Sequence, residues 1–405
     1  MKLFVSALEY SANIHLKYLL CELIKHENIE LCGIFDKNII DEIMRDSCGS
    51  ILDEKSGLRS CEQGNKTDGI LTKRTTSLPD LSLKYNALQG KPLCDINKVA
   101  VMGFIDVLKR ARFFLTLRAK CLAIALKADK ILLMDSSSFN IPLAKKIKAR
   151  DCKKEIIYYI LPQVWAWKPW RAKTIEANCD KLAAILPFEV ECYAKKARFV
   201  GHPLLDEICD FRNNISQDSH NLITFMPGSR ITEIKRIFPI FLQVKDELKR
   251  RDLATQFHLV IPRKFMGKNL AEIYGDLSDF IISFDTHTSL LKSKFAFICS
   301  GTATLECALI GTPFVLGYLA RRIEAFVVKQ FLNIRFVGLA NILYSRINKS
   351  ENFHDELLQE NLTAKNLLDS YYRANPNDFL AKSLSLRKYL KNGSAKAVAQ
   401  WLIQT

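Results

Sequence analysis

The stretch Phe297–Tyr318, FICSGTATLECALIGTPFVLGY, decides the fold. Phe297–Cys299 reads as a buried strand, and the polar turn Ser300-Gly301-Thr302 follows it. A helix over Ala303–Ile310, a Gly-Thr-Pro stop and a second buried strand, Phe314–Gly317, complete a compact βαβ unit. The turn opens a helix, so free backbone N–H groups and the helix dipole favour an anion there, most often phosphate. Glu306 lies four residues after Thr302, outside the three-residue spacing of a capping box. A phosphate-sized site beside a carboxylate suits a nucleotide, whose ribose hydroxyls need an acceptor. The competing account is an ordinary βα turn with a surface glutamate, and this stretch alone does not separate the two.

The same pattern recurs upstream. Leu222–Met226 is a strand, Pro227-Gly228-Ser229-Arg230 a sharp turn, and Ile231–Arg250 a helix with Glu233 in its first turn. Arg230 supplies a planar guanidinium suited to a diphosphate. Downstream, Asn341 in RFVGLANILY offers its amide to a ligand. At the other end of the chain, Lys2–Ala7 reads as a strand, Glu9–Asn13 as a polar turn and Ile14–Lys25 as a helix. Doubly wound α/β domains begin this way, with the first turn at the edge where ligands bind. Lys130–Met134 is a buried strand ending at Asp135, a position where such folds place catalytic groups. Trp165 and Trp167, in LPQVWAW, form either an acceptor-binding wall or a packed corner. His202, in Gly201-His202-Pro203, either meets a ligand or serves the linker.

A chain of 405 residues implies two domains. Its net charge of +16 favours an anionic partner: nucleic acid, phosphorylated metabolite or acidic membrane surface. Twelve cysteines without a CxxC pair, and seven histidines without HExxH, fit buried thiols in a reducing cytosol and predict no metal site. The N-terminus does not read as a signal peptide, and no apolar run reaches transmembrane length, so membrane contact is expected to be peripheral. Gly49–Pro92 reads as a variable insertion. Asp106–Lys127 interleaves Arg110, Arg112 and Arg118 with Phe113 and Phe114, as in helices that lie on membranes or, alternatively, in core helices with a solvated basic face. Arg321–Ile334 and His354–Trp401 read as largely helical.

The two phosphate-type turns belong at one edge of a parallel sheet, and the first half offers Glu9 and Asp135 at its own edge. Two such Rossmann-like doubly wound domains facing a cleft make the α/β architecture called GT-B. Neither turn is a dinucleotide fingerprint or a P-loop. VMGFIDVL (101–108), MDSSSFN (134–140), LPQVWAWK (161–168), LPFE (186–189), GHPLLD (201–206), PGSR with Glu233, SGTATLECALIGTPFVLGY (300–318), VGLANIL (337–343) and ELLQ (356–359) follow one another in order. On these motifs the chain resembles the lipid-A-disaccharide synthase family, inverting GT-B enzymes of Gram-negative lipid A assembly, from end to end apart from the insertion.

The resemblance implies three segments: an acceptor and catalytic domain over 1–205, a UDP-sugar domain over 206–345 and a helical segment over 346–405 that crosses back or is exchanged in a dimer. It places Gly228, Ser229, Arg230, Glu233, Ser300, Gly301, Thr302, Glu306 and Asn341 around the UDP donor. Ser11, Asn140, Trp165, Trp167 and His202 fall to the acceptor, and Arg110, Arg112, Phe113, Phe114 and Arg118 to the membrane. The implied reaction joins UDP-2,3-diacylglucosamine to lipid X without a metal or other cofactor, at the cytoplasmic face of the inner membrane. The sequence departs from the family at two points. The usual GExSGD turn is here Leu8–Asn13, keeping Glu9 and Ser11, and the second acid of D-x-x-D-F-N is Ser138. A serine hydroxyl is no base at neutral pH, so Asp135 is the first choice for the catalytic base and Glu9 the second. Another GT-B enzyme of UDP-sugars, such as the lipid II N-acetylglucosaminyltransferase or a UDP-GlcNAc epimerase, is the alternative. A non-enzymatic protein binding membrane or nucleic acid is a more distant one, since it leaves both turns unexplained.

Overall fold

A computed structural model describes residues 1–45, 88–94, 96, 111–214, 221–299, 301–319 and 336–404. They form two compact units, Met1–Cys209 with Asn392–Thr405, and Asp210–Lys391.

The first unit holds β1 (Lys2–Ala7), β2 (Ile29–Ile34), β3 (Leu88–Pro92), β4 (Lys130–Met134), β5 (Ile156–Tyr159), β6 (Lys181–Ala184) and β7 (Ala197–Phe199). All seven are parallel, in the order β3-β2-β1-β4-β5-β6-β7. The winding reverses between β1 and β4, so the carboxyl ends of these two strands open on the point where such sheets bind ligands. KLFVSA and KILLM are nearly continuous apolar runs because both faces of the sheet are covered. Helix α1 (Tyr10–Leu23) covers one face, with Leu16, Leu19 and Leu20 against Leu3, Val5 and Leu31. Helices α2 (Ala111–Ala125), α3 (Ser137–Arg150) and α4 (Arg171–Asn178) cover the other, with Leu117, Leu143 and Ile175 against Phe4, Leu133 and Tyr158.

Strand β3 shortens the expected insertion. Leu88–Pro92 pairs with β2 as an edge strand, and residues 46–87 lie outside the described part. LQGKP lacks an apolar alternation, because only Leu88 is buried. Gly90, at φ +154°, lets its backbone close on β2; a Cβ there would sit 2.0 Å from the Leu31 carbonyl oxygen.

The second unit repeats the plan. β8 (Leu222–Met226), β9 (Gln256–Val260), β10 (Phe280–Ser283), β11 (Phe295–Cys299), β12 (Phe314–Tyr318) and β13 (Asp355–Leu358) form a parallel sheet in the order β10-β9-β8-β11-β12-β13. Its main helices are α5 (Ile231–Arg251), α6 (Thr302–Ile310), α7 (Leu339–Tyr344), α8 (Ala364–Arg373) and α9 (Pro376–Leu390). Phe225 sits at the centre of an aromatic core, stacked on Phe297 at 5.1 Å between ring centres and edge-on to Phe280 at 5.8 Å. The β11-α6-β12 unit is the strand, helix and strand expected from FICSGTATLECALIGTPFVLGY, with Ser300 outside the described residues.

The chain then returns to the first unit as α10 (Ser394–Ile403), whose Val398, Ala399 and Leu402 complete the apolar face that α1 presents. Asp206 fastens it: one carboxylate oxygen accepts the Gly393 N–H at 2.5 Å, the other the Ser394 hydroxyl at 2.8 Å and the Ala395 N–H at 3.0 Å. The segment 346–405 is thus divided, with residues up to Lys391 in the second unit and the remainder in the first.

Candidate active site

In the first unit, Asp135 and Ser136 leave β4 with φ of +49° and +39°. Two successive left-handed residues without glycine cost on the order of 1–3 kcal/mol each and persist only where the surroundings hold them. Here the Tyr158 hydroxyl donates to the Asp135 carbonyl at 2.5 Å, and the Asn140 amide donates to the carbonyls of Met134 at 2.9 Å and Asp135 at 3.0 Å. The Ser6 hydroxyl donates to Asn140 Oδ1 at 2.6 Å, so Asn140 ties β1 to β4. Asn140 is fully buried and spent on this work, which corrects its expected place on the acceptor surface. The Asp135 carboxylate is half-buried and accepts the Ser136 N–H at 2.7 Å. Burial pushes its carboxyl up, against the Ser136 N–H and the charge of His15.

Around it, Arg171 donates to the Ser137 hydroxyl at 2.9 Å and Arg118 to the Ser138 carbonyl at 3.3 Å. Glu9 is exposed at the head of α1 and does not cap that helix with its side chain; Ser11 is half-buried behind it. Asn13 joins the turn to its surroundings, donating to Ala7 O at 3.0 Å and Glu9 O at 2.8 Å and accepting the Asp36 N–H at 2.7 Å. Trp167 is 47 % exposed, whereas Trp165 is half-buried, edge-on to Phe188 at 5.2 Å. Trp170, which the motif reading passed over, is the more exposed at 67 %. His202 is buried and its Nδ1 accepts the Leu204 N–H at 3.3 Å; burial lowers its pKa to about 3, so it serves the linker as a neutral ring rather than the acceptor.

Helix α2 sorts the membrane candidates. Arg112 and Phe113 are exposed, as is Leu115. Phe114 instead packs on Phe139 at 6.4 Å, and Arg118 lies over the same ring at 5.2 Å while binding Ser138. These two residues belong to the first unit's packing and not to an outward face. Arg110 lies outside the described residues.

In the second unit, the turns after β8 and β11 flank that sheet's own reversal point. Gly228, at φ +115°, brings the turn onto α5; a Cβ there would lie 3.0 Å from both Cβ and Oε2 of Glu233. Glu233 Oε2 accepts the N–H groups of Ser229 at 3.3 Å and Arg230 at 3.2 Å, and its Oε1 accepts from the Arg230 guanidinium at 2.8 Å. It therefore shapes the turn in a capping box, and its carboxylate is occupied. Ser229 and Arg230 remain exposed. At the second turn, Gly301 (φ +152°) and Thr302 are exposed, Thr304 donates to Gly301 O at 2.8 Å, and Glu306 is half-buried on α6. Asn341 is buried, with its amide donating to His354 O and Glu356 Oε1 and its oxygen accepting the Phe353 and His354 N–H groups. All of its hydrogen-bonding capacity is used within the fold, which corrects its role as a ligand donor. Glu356 also receives the N–H groups of Val337 at 2.7 Å and Gly338 at 2.9 Å, so it organises the approach to α7.

Among the described residues no group of three or more His, Cys, Asp or Glu is placed to hold a metal ion, and no helix is long and apolar enough to cross a membrane.

Two parallel sheets of this winding, each with its reversal point bordered by such turns, are the arrangement of proteins with the GT-B fold. The UDP-GlcNAc 2-epimerase from Neisseria meningitidis, solved bound to UDP-GlcNAc, shares the fold at 13% identity and a TM-score of 0.52, covering 100% of this chain and 99% of its own. Residues 83–394 match the family described as Lipid-A-disaccharide synthetase. The Lipid-A-disaccharide synthase of Helicobacter pylori strain Shi470 is 49% identical over 307 residues, 74% of this chain and 84% of the relative. That of Campylobacter jejuni (strain NCTC 11168) is 38% identical over 414 residues, 99% of each. The chain belongs to the lipid-A-disaccharide synthase family, glycosyltransferases of lipid A assembly.

Proposed function

We propose that this chain joins UDP-2,3-diacylglucosamine to 2,3-diacylglucosamine 1-phosphate and releases the β-1,6-linked tetraacyl disaccharide 1-phosphate and UDP. The observation that carries the mechanism is Asp135, a half-buried carboxylate held at the carboxyl end of β4 by an otherwise costly backbone. The acceptor's primary hydroxyl gives its proton to Asp135 as its oxygen attacks the donor's C1. The C1–O bond to the diphosphate breaks on the opposite side, and the configuration inverts. A carboxyl raised by burial is a stronger base than an exposed one while it is ionised. Arg230 exchanges Glu233 for the diphosphate of the donor, and the N–H groups at the head of α6 take up the charge that develops on UDP. No metal or other cofactor takes part in this reading. Glu306 receives the ribose hydroxyls.

Both substrates carry acyl chains, so the proposal includes peripheral attachment to the cytoplasmic face of the inner membrane through Arg112, Phe113 and Leu115, and it extends to a homodimer. The test is mass spectrometry of the product formed from the acylated donor and lipid X, with a non-acylated UDP-sugar as control. Asp135→Asn is expected to lose turnover at least a thousandfold while UDP binding measured by calorimetry persists. A variant that keeps most of its turnover places the base elsewhere.

A further inference from the structure

Two arginines from different helices close on the turn that follows Asp135, and the scheme above does not use them. Arg118 of α2 donates from a terminal guanidinium nitrogen to the Ser138 carbonyl at 3.3 Å. Arg171, the first residue of α4, donates to the Ser137 hydroxyl at 2.9 Å. The first bond has a structural cause. In α3 the Ser138 carbonyl would accept from the residue four positions on, but that residue is Pro142, which has no N–H. Arg118 fills the gap, and the Phe139 ring, 5.2 Å from its guanidinium carbon, fixes its plane. A neutral oxygen does not offset a positive charge, however. A guanidinium carries five N–H groups, and each arginine gives the turn one of them. The Arg118 Nε is shut off from solvent and has no partner among the described residues. The place is also unfavourable for cations alone. Helix α3 runs for 14 residues, its first turn holds no acid, and Ser136 does not cap it with its side chain. Its head carries the positive end of the dipole and N–H groups without intrahelical partners. Two further positive charges there call for an anion. Asp135, the nearest acid in the chain, holds the Ser136 N–H and is the group read above as the base. Arg118, Ser137 and Arg171 are half-buried and Ser138 is exposed, so a ligand can reach the cluster.

We propose that Arg118 and Arg171, with the head of α3, form a phosphate subsite that receives the acceptor's 1-phosphate and so aims the acceptor's primary hydroxyl at Asp135. This rests on the proposed reaction and on Asp135 as its base. A phosphomonoester presents three oxygens, which two forked guanidiniums and the N–H groups of a helix head match as donors. The scale also fits. The phosphate and the primary hydroxyl of the acceptor stand on opposite ends of one sugar ring, and the arginines meet the chain at Ser137 and Ser138, within one helical turn of Asp135, about 5 Å. Arg118 keeps its bond to Ser138 and turns its remaining N–H groups to the phosphate. No bond to the phosphate forms or breaks. The diphosphate of the donor is the other source of the same chemistry, and the test separates the two.

The experiment compares lipid X with the same diacylglucosamine lacking its phosphate, both in nonionic detergent micelles. It reads kcat/KM for the full-length enzyme and for Arg118→Gln, Arg171→Gln and Arg171→Lys, with Asp135→Asn alongside. Thermal melting checks the fold, and calorimetry reads UDP affinity. The unaltered enzyme is expected to favour the phosphorylated acceptor. Each glutamine variant is expected to lose roughly tenfold or more on lipid X, chiefly through KM, and little on the phosphate-free acceptor, so that the preference collapses while UDP affinity holds. Arg171→Lys, which keeps a charge without the fork, is expected to fall between, and it carries the test should the glutamine variants not fold. Where the phosphate-free acceptor is not turned over, its inhibition constant against lipid X gives the same comparison. Equal losses on both acceptors reduce the arginines to supports of α3 and overturn the inference. A loss of UDP affinity assigns the cluster to the donor and overturns it too. An active Asp135→Asn removes the base reading, and the phosphate preference then still decides the subsite. No product from lipid X overturns the proposed reaction and the inference with it.

Discussion

Glu189→Gln should make the first unit more stable at alkaline pH and leave it nearly unchanged at acid pH. Glu189 is 1 % exposed, and its Oε2 accepts the Leu186 N–H at 3.2 Å. Burial raises its pKa from an ordinary 4.5 to about 7, against the pull of the Leu186 N–H, the Trp165 indole and the Ile185 N–H. The folded chain thus holds a proton that the unfolded chain has released. The stability tied to that proton is fully present below about pH 4.5 and is lost as pH rises through 7. A shift of about 2.5 units corresponds to about 3 kcal/mol. Glutamine cannot ionise and still offers an oxygen to Leu186. The variant's advantage should therefore grow from near zero at about pH 4.5 to about 3 kcal/mol at about pH 8.5. All four tryptophans, Trp165, Trp167, Trp170 and Trp401, lie in the first unit, so urea unfolding followed by tryptophan fluorescence reports that unit. A stability difference that stays flat between those two pH values would refute the reasoning.

Two further outcomes follow from the turns and from α2. Gly228→Ala drives a methyl group toward Glu233 at a backbone angle that alanine rarely adopts, so the turn should open and UDP affinity by calorimetry should fall at least tenfold, about 1.4 kcal/mol; unchanged affinity would remove this turn from the donor site. Phe113→Ser with Leu115→Ser removes exposed apolar groups, at the loss of the Phe113 edge contact with Phe114 at 5.6 Å but not of the Phe114–Phe139 contact, so sedimentation with anionic liposomes should drop severalfold while the melting temperature falls only slightly. Undiminished sedimentation would move the membrane contact to another face.

The βαβ units were legible because strands covered on both faces become continuous apolar runs, and because Gly228 marks the turn that closes on α5. FICSGTATLECALIGTPFVLGY carries the first signal. Strand β3 carries neither, since an edge strand with one buried residue has no pattern to show. The site was legible as a set of polar residues near strand ends, but sequence does not say what the fold consumes. Asn140, Glu233 and Asn341 sit in the right motifs, yet their hydrogen bonds are spent on strand ends, a turn and a loop. Arg118 and Phe114 follow an amphipathic pattern, but Phe139 claims one face of α2.

The return of α10 to the first unit has a consequence for biosynthesis. The apolar strip of α1 is made before the second unit, but Val398, Ala399 and Leu402 that cover it come after the whole of that unit. The first unit therefore acquires this part of its core only after the second unit has been translated. Until then the α1 strip lacks that cover, and Asp206 can set its latch only when residues 393–395 arrive.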